Sequence, residues 1–171
     1  MQRARVVVTD ANVLINLAHV HRLDFCARLA GLEFVIPDHV RDEVTRREHR
    51  EALEESIEAG VFKVVSLTEA DDIAAFAALT VFLGRGEASC LVLASRHGWL
   101  VASDEKGRFR REAIDRVGEG KILGTVEIYL RALQAGLLTI EEADQDKTIL
   151  EARRFRMPFC SFGDVVARSD A

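Results

Sequence analysis

Short β-branched runs alternate along the chain with longer segments whose apolar residues recur at helical spacing. Val6-Val7-Val8, ending at Thr9-Asp10, predicts a buried strand. Helices are expected over residues 12–19 and 23–30, the second stopped by Gly31. Residues 33–36, closed by Pro37, predict another strand, after which Asp38 stands where it can cap a helix. That helix is expected to reach Gly60, with Val40, Val44, Leu53 and Ile57 inward and a dense set of charges outward. Residues 62–67 predict a third strand, and Thr68 with residues 69–72 opens a further helix.

Gly84 and Gly86 break the chain before a nearly all-apolar helix over 87–96, which is therefore expected to be buried. Leu100-Val101-Ala102 predicts a fourth strand ending at Ser103-Asp104, followed by a charged helix through Arg116. Ile122-Leu123 predicts a short last strand, before a helix that opens near Thr125 and ends at Gly136. Residues 141–155 predict the final regular element. Such alternation points to the α/β class, with a parallel central sheet covered by helices on both faces. With 171 residues and no linker or repeat, one domain over 1–171 is expected, residues from about 155 to 171 forming a C-terminal extension.

Composition narrows the function classes. Hydrophobic residues make up 49% and charged residues 30%, as in ordinary globular proteins, and no apolar run is long enough to cross a bilayer. Asp10 and Asn12 interrupt the apolar stretch that Arg3 and Arg5 introduce, so a secretory signal is not expected and a cytoplasmic location is. Cys26, Cys90 and Cys160 show neither paired nor metal-ligand spacing and read as small packing residues. His19 and His21 read as helix-end residues rather than as a metal pair. The net charge of −5 argues against a uniformly basic nucleic-acid binder. Bases are nevertheless clustered at Arg41, Arg46, Arg47 and Arg50, at Lys106, Arg108, Arg110 and Arg111, and at Arg153, Arg154 and Arg156. Any one of these clusters alone reads as a solvated helix face.

The acids are more informative. Ligands of open parallel sheets bind beyond the carboxyl ends of the strands, and Asp10 and Asp104 each follow a predicted strand directly. Taken singly, each would pass as a helix cap. Glu43 adjoins the inward-facing Val44, and Glu87 opens the apolar helix, facing its positive end. Carboxylates gathered together repel by ~4 kcal/mol per pair at 4 Å and an effective dielectric of 20. A divalent cation relieves that repulsion, and oxygen ligands without cysteine or histidine suit Mg²⁺ or Mn²⁺.

The sequence resembles the PIN-domain family, and within it the toxin ribonucleases of prokaryotic toxin–antitoxin systems. The resemblance is carried by Val-Thr-Asp10-Ala-Asn12-Val-Leu-Ile, by Ile-Pro-Asp-His-Val-Arg-Asp-Glu43-Val, and by Gly84-Arg-Gly86-Glu87-Ala-Ser-Cys-Leu-Val-Leu-Ala. Leu-Val-Ala-Ser103-Asp104 and Gly124-Thr125-Val126-Glu127-Ile128 complete it. These segments follow one another in the family's order over nearly the whole chain.

The resemblance implies a PIN-like three-layer fold in which Asp10, Glu43, Glu87 and Asp104 meet around Mg²⁺ or Mn²⁺. Asn12 and Ser103 match polar positions that order the site, and Thr125 matches a hydroxyl behind it. Glu87 is one methylene longer than the Asp common there, and Glu105 is a further candidate ligand. The implied reaction is hydrolysis of RNA phosphodiester bonds, with Asp10 and Asp104 as principal metal ligands and Glu43 and Glu87 completing the shell or orienting water. Lys106, Arg108, Arg110 and Arg111 are candidates for contacts to flanking phosphates. A cognate antitoxin and a homodimer are the partners the resemblance suggests.

Three other readings compete. An RNA-processing nuclease that is not a toxin, or a PIN-like binding protein without catalysis, would carry the same residues. A phosphoacceptor receiver would want an adjacent acidic pair after the first strand and a lysine after a late one. Thr-Asp10-Ala-Asn12 and Leu123-Gly124-Thr125 lack both.

Overall fold

β-Branched residues are less crowded in an extended chain than in a helix. Val6, Val7 and Val8 accordingly form the centre of β1 (Arg5–Thr9) in the computed structural model of the protein. Residues 4–169 are described; Arg3 and the last two residues of the expected C-terminal extension lie outside them. Asp10 caps α1 (Ala11–His19), its carboxylate accepting from the Ala11 amide. A single turn, α2 (Phe25–Arg28), is all that forms of the helix expected over 23–30, and Gly31 then leaves in the left-handed region. β2 (Leu32–Pro37) follows.

The long helix expected after Asp38 is two helices, α3 (Asp38–Glu43) and α4 (Arg47–Glu58). Val44 leaves helical geometry between them while staying buried, so the break keeps an apolar anchor inward and turns the axis. Glu43 is thus the last residue of a short helix, not a residue in the first turns of a long one. Asp38 is itself the first helical residue, bonded to the neighbouring His39 amide rather than capping from outside.

β3 (Lys63–Val65), α5 (Ala70–Leu79) and α6 (Arg85–His97) come next. α6 is buried without interruption from Ala88 to Ala94, as its composition predicts, and it touches β1, β2, α3, α5 and α7. β4 (Leu100–Ala102), α7 (Gly107–Val117), a 3-10 turn, β5 (Ile122–Leu123) and α8 (Thr125–Gln134) lead to α9 (Ile140–Ala152). α9 is not the final element, because α10 (Phe162–Ser169) follows. Its first residue, Phe162, is fully buried and stacks on Tyr129 of α8. Cys26 and Cys90 are core residues, but Cys160 is exposed and packs nothing away. His19 pairs with His49 of α4 at 3.1 Å, not with His21.

The five strands form one parallel sheet in the order β3-β2-β1-β4-β5. The chain proceeds outward from β1 through β2 to β3, then returns to the other side of β1 for β4 and β5. The topological switch point therefore lies between β1 and β4, where such sheets open a crevice at their carboxyl ends. Among the described residues no helix is long and apolar enough to cross a membrane.

Candidate active site

Strand register alone brings the first two acids together. Thr9 pairs with Ala102 and Ala102 with Leu123. One step further, Asp10 faces Ser103, and the Asp10 amide donates to the Ala102 carbonyl at 2.9 Å. The next step sets Asp104 beside Thr125 at the start of α8.

Both carboxylates are tightly held. Asp10 accepts from the Ala11 amide (2.8 Å), the Asn12 side-chain amide (3.0 Å) and the Ser103 hydroxyl (3.1 Å). Asp104 accepts from the Thr125 amide (2.7 Å), the Thr125 hydroxyl and the Asn16 side chain (2.9 Å). An ionised carboxyl offers about four acceptor positions, so each retains roughly one. Asn12 also receives the Asp104 amide and donates to Glu105 at 2.9 Å, which ties both strand ends to α1.

Glu43 and Glu87 join from the other side, through α6. Glu43 accepts from the Gly86 amide at 2.7 Å, and Glu87 folds back onto the Gly84 amide at 2.8 Å. Glycine at position 86 leaves the room that the Glu43 carboxylate occupies, because a Cβ there would overlap Glu43 Oε2 and lie 2.8 Å from its Cδ. We therefore expect Gly86→Ala to push the Glu43 carboxylate aside while the helix gains the ~0.5–1 kcal/mol that alanine contributes over glycine. Thermal melts should show unchanged or higher stability, and the activity of the site should fall by roughly 10–100-fold, the effect usual for residues that orient a site's ligands. Unchanged activity would mean that the Glu43 position does not matter to the site.

The electrostatics are those of buried carboxyls that lie near one another. Burial, first, pushes the Asp10 carboxyl up to about 7, and the neighbouring Glu87 and Glu43 charges push the same way. Hydrogen bonds from Ala11 and Ser103 oppose the rise without cancelling it. Burial also raises Glu87, aided by Glu105 and Glu43, and it raises Asp104 against the bonds from Thr125 and Asn16. Asp10 is only 3% exposed. Among the described residues no lysine, arginine or histidine forms an ion pair with any of the four acids.

A divalent cation fits this donor set, although not as an all-protein cage. Among the described residues, no three His, Cys, Asp or Glu side chains are gathered closely enough to enclose a metal ion. Mg²⁺ is usually held through one or two carboxylates and keeps several waters, which matches one open acceptor position on each of Asp10 and Asp104.

The basic residues divide. Lys106 and Arg110 line clefts that open on Asp104 and Glu105, whereas Arg108 lies over the Phe82 ring at 5.5 Å and Arg111 lines neither cleft. Two residues that the sequence reading passed over belong to the site. Asn16 sits one turn after Asn12 on an otherwise apolar helix and reaches both Asp104 and Thr125. Glu127 bonds the Gly124 amide at 2.8 Å, and its charge raises Asp104. The signal for Glu127 was its Gly-x-x-Glu spacing, the same as in Gly84-Arg-Gly86-Glu87.

A family model described as PIN domain matches residues 6–163, from the first strand into the last helix. No curated protein matches the chain significantly. Matched over all but its ends, and with its acids at the switch point of a parallel sheet, the chain belongs to the PIN-domain family, whose members are generally nucleases that typically use divalent metal ions.

Proposed function

We propose that the protein is a cytoplasmic, Mg²⁺- or Mn²⁺-dependent ribonuclease and the toxin of a toxin–antitoxin pair. The observation that carries the proposal is the pair Asp10 and Asp104. They are two oriented, largely buried carboxylates with no cationic partner among the described residues, each with roughly one acceptor position left. Asp10 and Asp104 would hold the ion, with Glu43 and Glu87 completing its surroundings. When bound, the ion would polarise the scissile phosphate and make its attacking water more acidic.

The protein's own groups supply positioning. Asn12 and Ser103 fix the rotamer of Asp10, while Asn16 and Thr125 fix that of Asp104. Glu43, anchored on the Gly86 amide, keeps its second oxygen free to orient a water. Lys106 and Arg110 offset substrate charge beside Asp104.

RNA should be cut with Mg²⁺ or Mn²⁺ and left intact in EDTA, as read on a gel with structured and unstructured substrates. Undiminished cleavage in EDTA would overturn the metal mechanism. Expression of the parent should arrest growth of a host, whereas Asp104→Asn should not. An antitoxin suited to this site would place an Arg or Lys against the carboxylates. Harmless expression of active protein would assign the chain to RNA processing instead. RNA binding without cleavage in any divalent ion would assign it to a binding role.

A further inference from the structure

α9 ends in a Schellman turn. The Phe155 amide donates to the Leu150 carbonyl at 3.0 Å and the Arg154 amide to the Glu151 carbonyl at 3.0 Å, with Arg154 between them at φ +70°. This is the left-handed position that helices ordinarily give to glycine, where a side chain costs stability. Here it carries an exposed arginine. Folding gives no reason for the choice, since Arg154 forms no ion pair among the described residues, and neither do Arg153 and Arg156 beside it. Non-glycine residues held in such conformations concentrate at ligand clamps and active sites.

The location supplies a reason. A cleft of about 440 Å³ is lined by residues 153–156 together with Asn12, Asn16, Asp104, Glu105 and Lys106. A second cleft, of about 570 Å³, continues past Asp104, Lys106 and Arg156 to Arg110 and the ring of Phe159. The turn is also held in place. Asp146 of α9 is clamped by Arg22 (2.8 Å) and Tyr129 (2.9 Å). Beyond the turn, Asp144 receives the Ser161 hydroxyl (2.6 Å) and the Phe162 amide (2.8 Å).

We propose that this turn is the substrate arm of the nuclease. In this arrangement Arg154, with Arg153 and Arg156, holds the phosphates of single-stranded RNA in the cleft that opens on Asp104, with Lys106 in the same cleft, and Phe155 offers a stacking face. The inference rests on the ribonuclease reading for its choice of ligand. A strand is favoured over a protein partner because both clefts carry cations beside Asp104 and share Lys106 and Arg156, so that a phosphate chain lying along them passes Asp104. Half-exposed aromatic rings among cations are the usual platform for unpaired bases.

Arg154→Gly separates the two roles, because glycine suits the turn and removes the guanidinium. The full chain should melt higher by about 2–4 °C per kcal/mol of strain relieved. Its affinity for a labelled oligouridylate, read by fluorescence anisotropy in EDTA, should fall by roughly tenfold or more. The slope of log affinity against log salt should flatten by about 0.7, the value for one lost phosphate contact on a single strand. Arg154→Asn, which also tolerates the left-handed region, should behave alike, and Arg47→Gln, outside both clefts, should keep the parent affinity and slope. Parent affinity and slope in a well-folded Arg154→Gly protein would overturn the proposal. So would an oligoglutamate peptide that binds more tightly than RNA at equal salt and loses that binding in Arg154→Gly, since the arm would then belong to an acidic protein partner.

The two readings fail separately. If RNA survives Mn²⁺ yet its binding depends on Arg154, the nuclease assignment falls and the arm stands. If Arg154→Gly cuts with parent KM and kcat, the arm falls and the nuclease stands.

Discussion

Asp10→Asn is expected to leave RNA cleavage at roughly a thousandth of the parent rate or lower, in a protein that remains folded. A carboxylate about 4 Å from each unit of cation charge contributes ~4 kcal/mol at an effective dielectric of 20, and that energy corresponds to about a thousandfold in rate. Asparagine keeps the shape and remains a good cap for α1, so the Ala11 amide retains its partner. The new side-chain amide can donate to the Ser103 oxygen once that hydroxyl rotates away, and the Asn12 amide, which donated to the same Asp10 oxygen, keeps Glu105 as its acceptor. Single-turnover cleavage in Mn²⁺, with circular dichroism as the folding control, measures the effect. A variant that cuts within a few-fold of the parent would reduce Asp10 to a helix cap.

Much of this was legible in the sequence, for physical reasons that differ by element. Leu100-Val101-Ala102 and Ile122-Leu123 were readable as strands because they are short apolar runs set between polar and turn residues. Their meeting with Asp10 followed from topology, since a strand-ending acid in a parallel sheet must emerge at the carboxyl edge. The break after Glu43 was not legible. The helical spacing of Val40, Val44, Leu53 and Ile57 continues across it, and the Glu43 side chain at the break is held by the Gly86 amide of a helix distant in the chain.

Asn16 was hidden in a run of apolar neighbours, and its bonds to Asp104, 88 residues away, and to Thr125 show its use. α10 was missed because the amphipathic pattern of 162–169 is only two turns long. Its anchor, Phe162, acquires meaning once Tyr129 and Asp144 are in place. In each missed case the deciding partner was remote in the chain, and local pattern does not report remote partners.

The largest stability effect should come from the same carboxylates and should have an unusual sign. An acid held below its ordinary range by a folded partner, as Glu54 is by Arg41, favours folding as pH rises. Asp10 does the reverse, because its folded value is raised from 3.8 to about 7. The folded protein therefore holds this proton where the unfolded chain has released it. The contribution to stability is fully present below about pH 4 and is lost as pH rises through about 7, a change of ~4 kcal/mol at most. Asp104 and Glu87 are raised as well and act in the same direction.

Surface acids of the Glu54 kind superimpose an opposite slope, so the measurable quantity is the difference between parent and Asp10→Asn, in which only the Asp10 term changes. In EDTA the two should melt at similar temperatures near pH 4, and the variant should melt progressively higher toward pH 8. Mn²⁺ at a hundredfold excess over its dissociation constant should return ~2.7 kcal/mol to the parent at neutral pH. It should return less in acid, where protons compete for the ligand. Replacing Asp10 and Asp104 together by Asn should abolish that gain. A double variant that melts below the parent in EDTA and still gains from Mn²⁺ would show that the cation binds elsewhere and that the two carboxylates are ordinary caps.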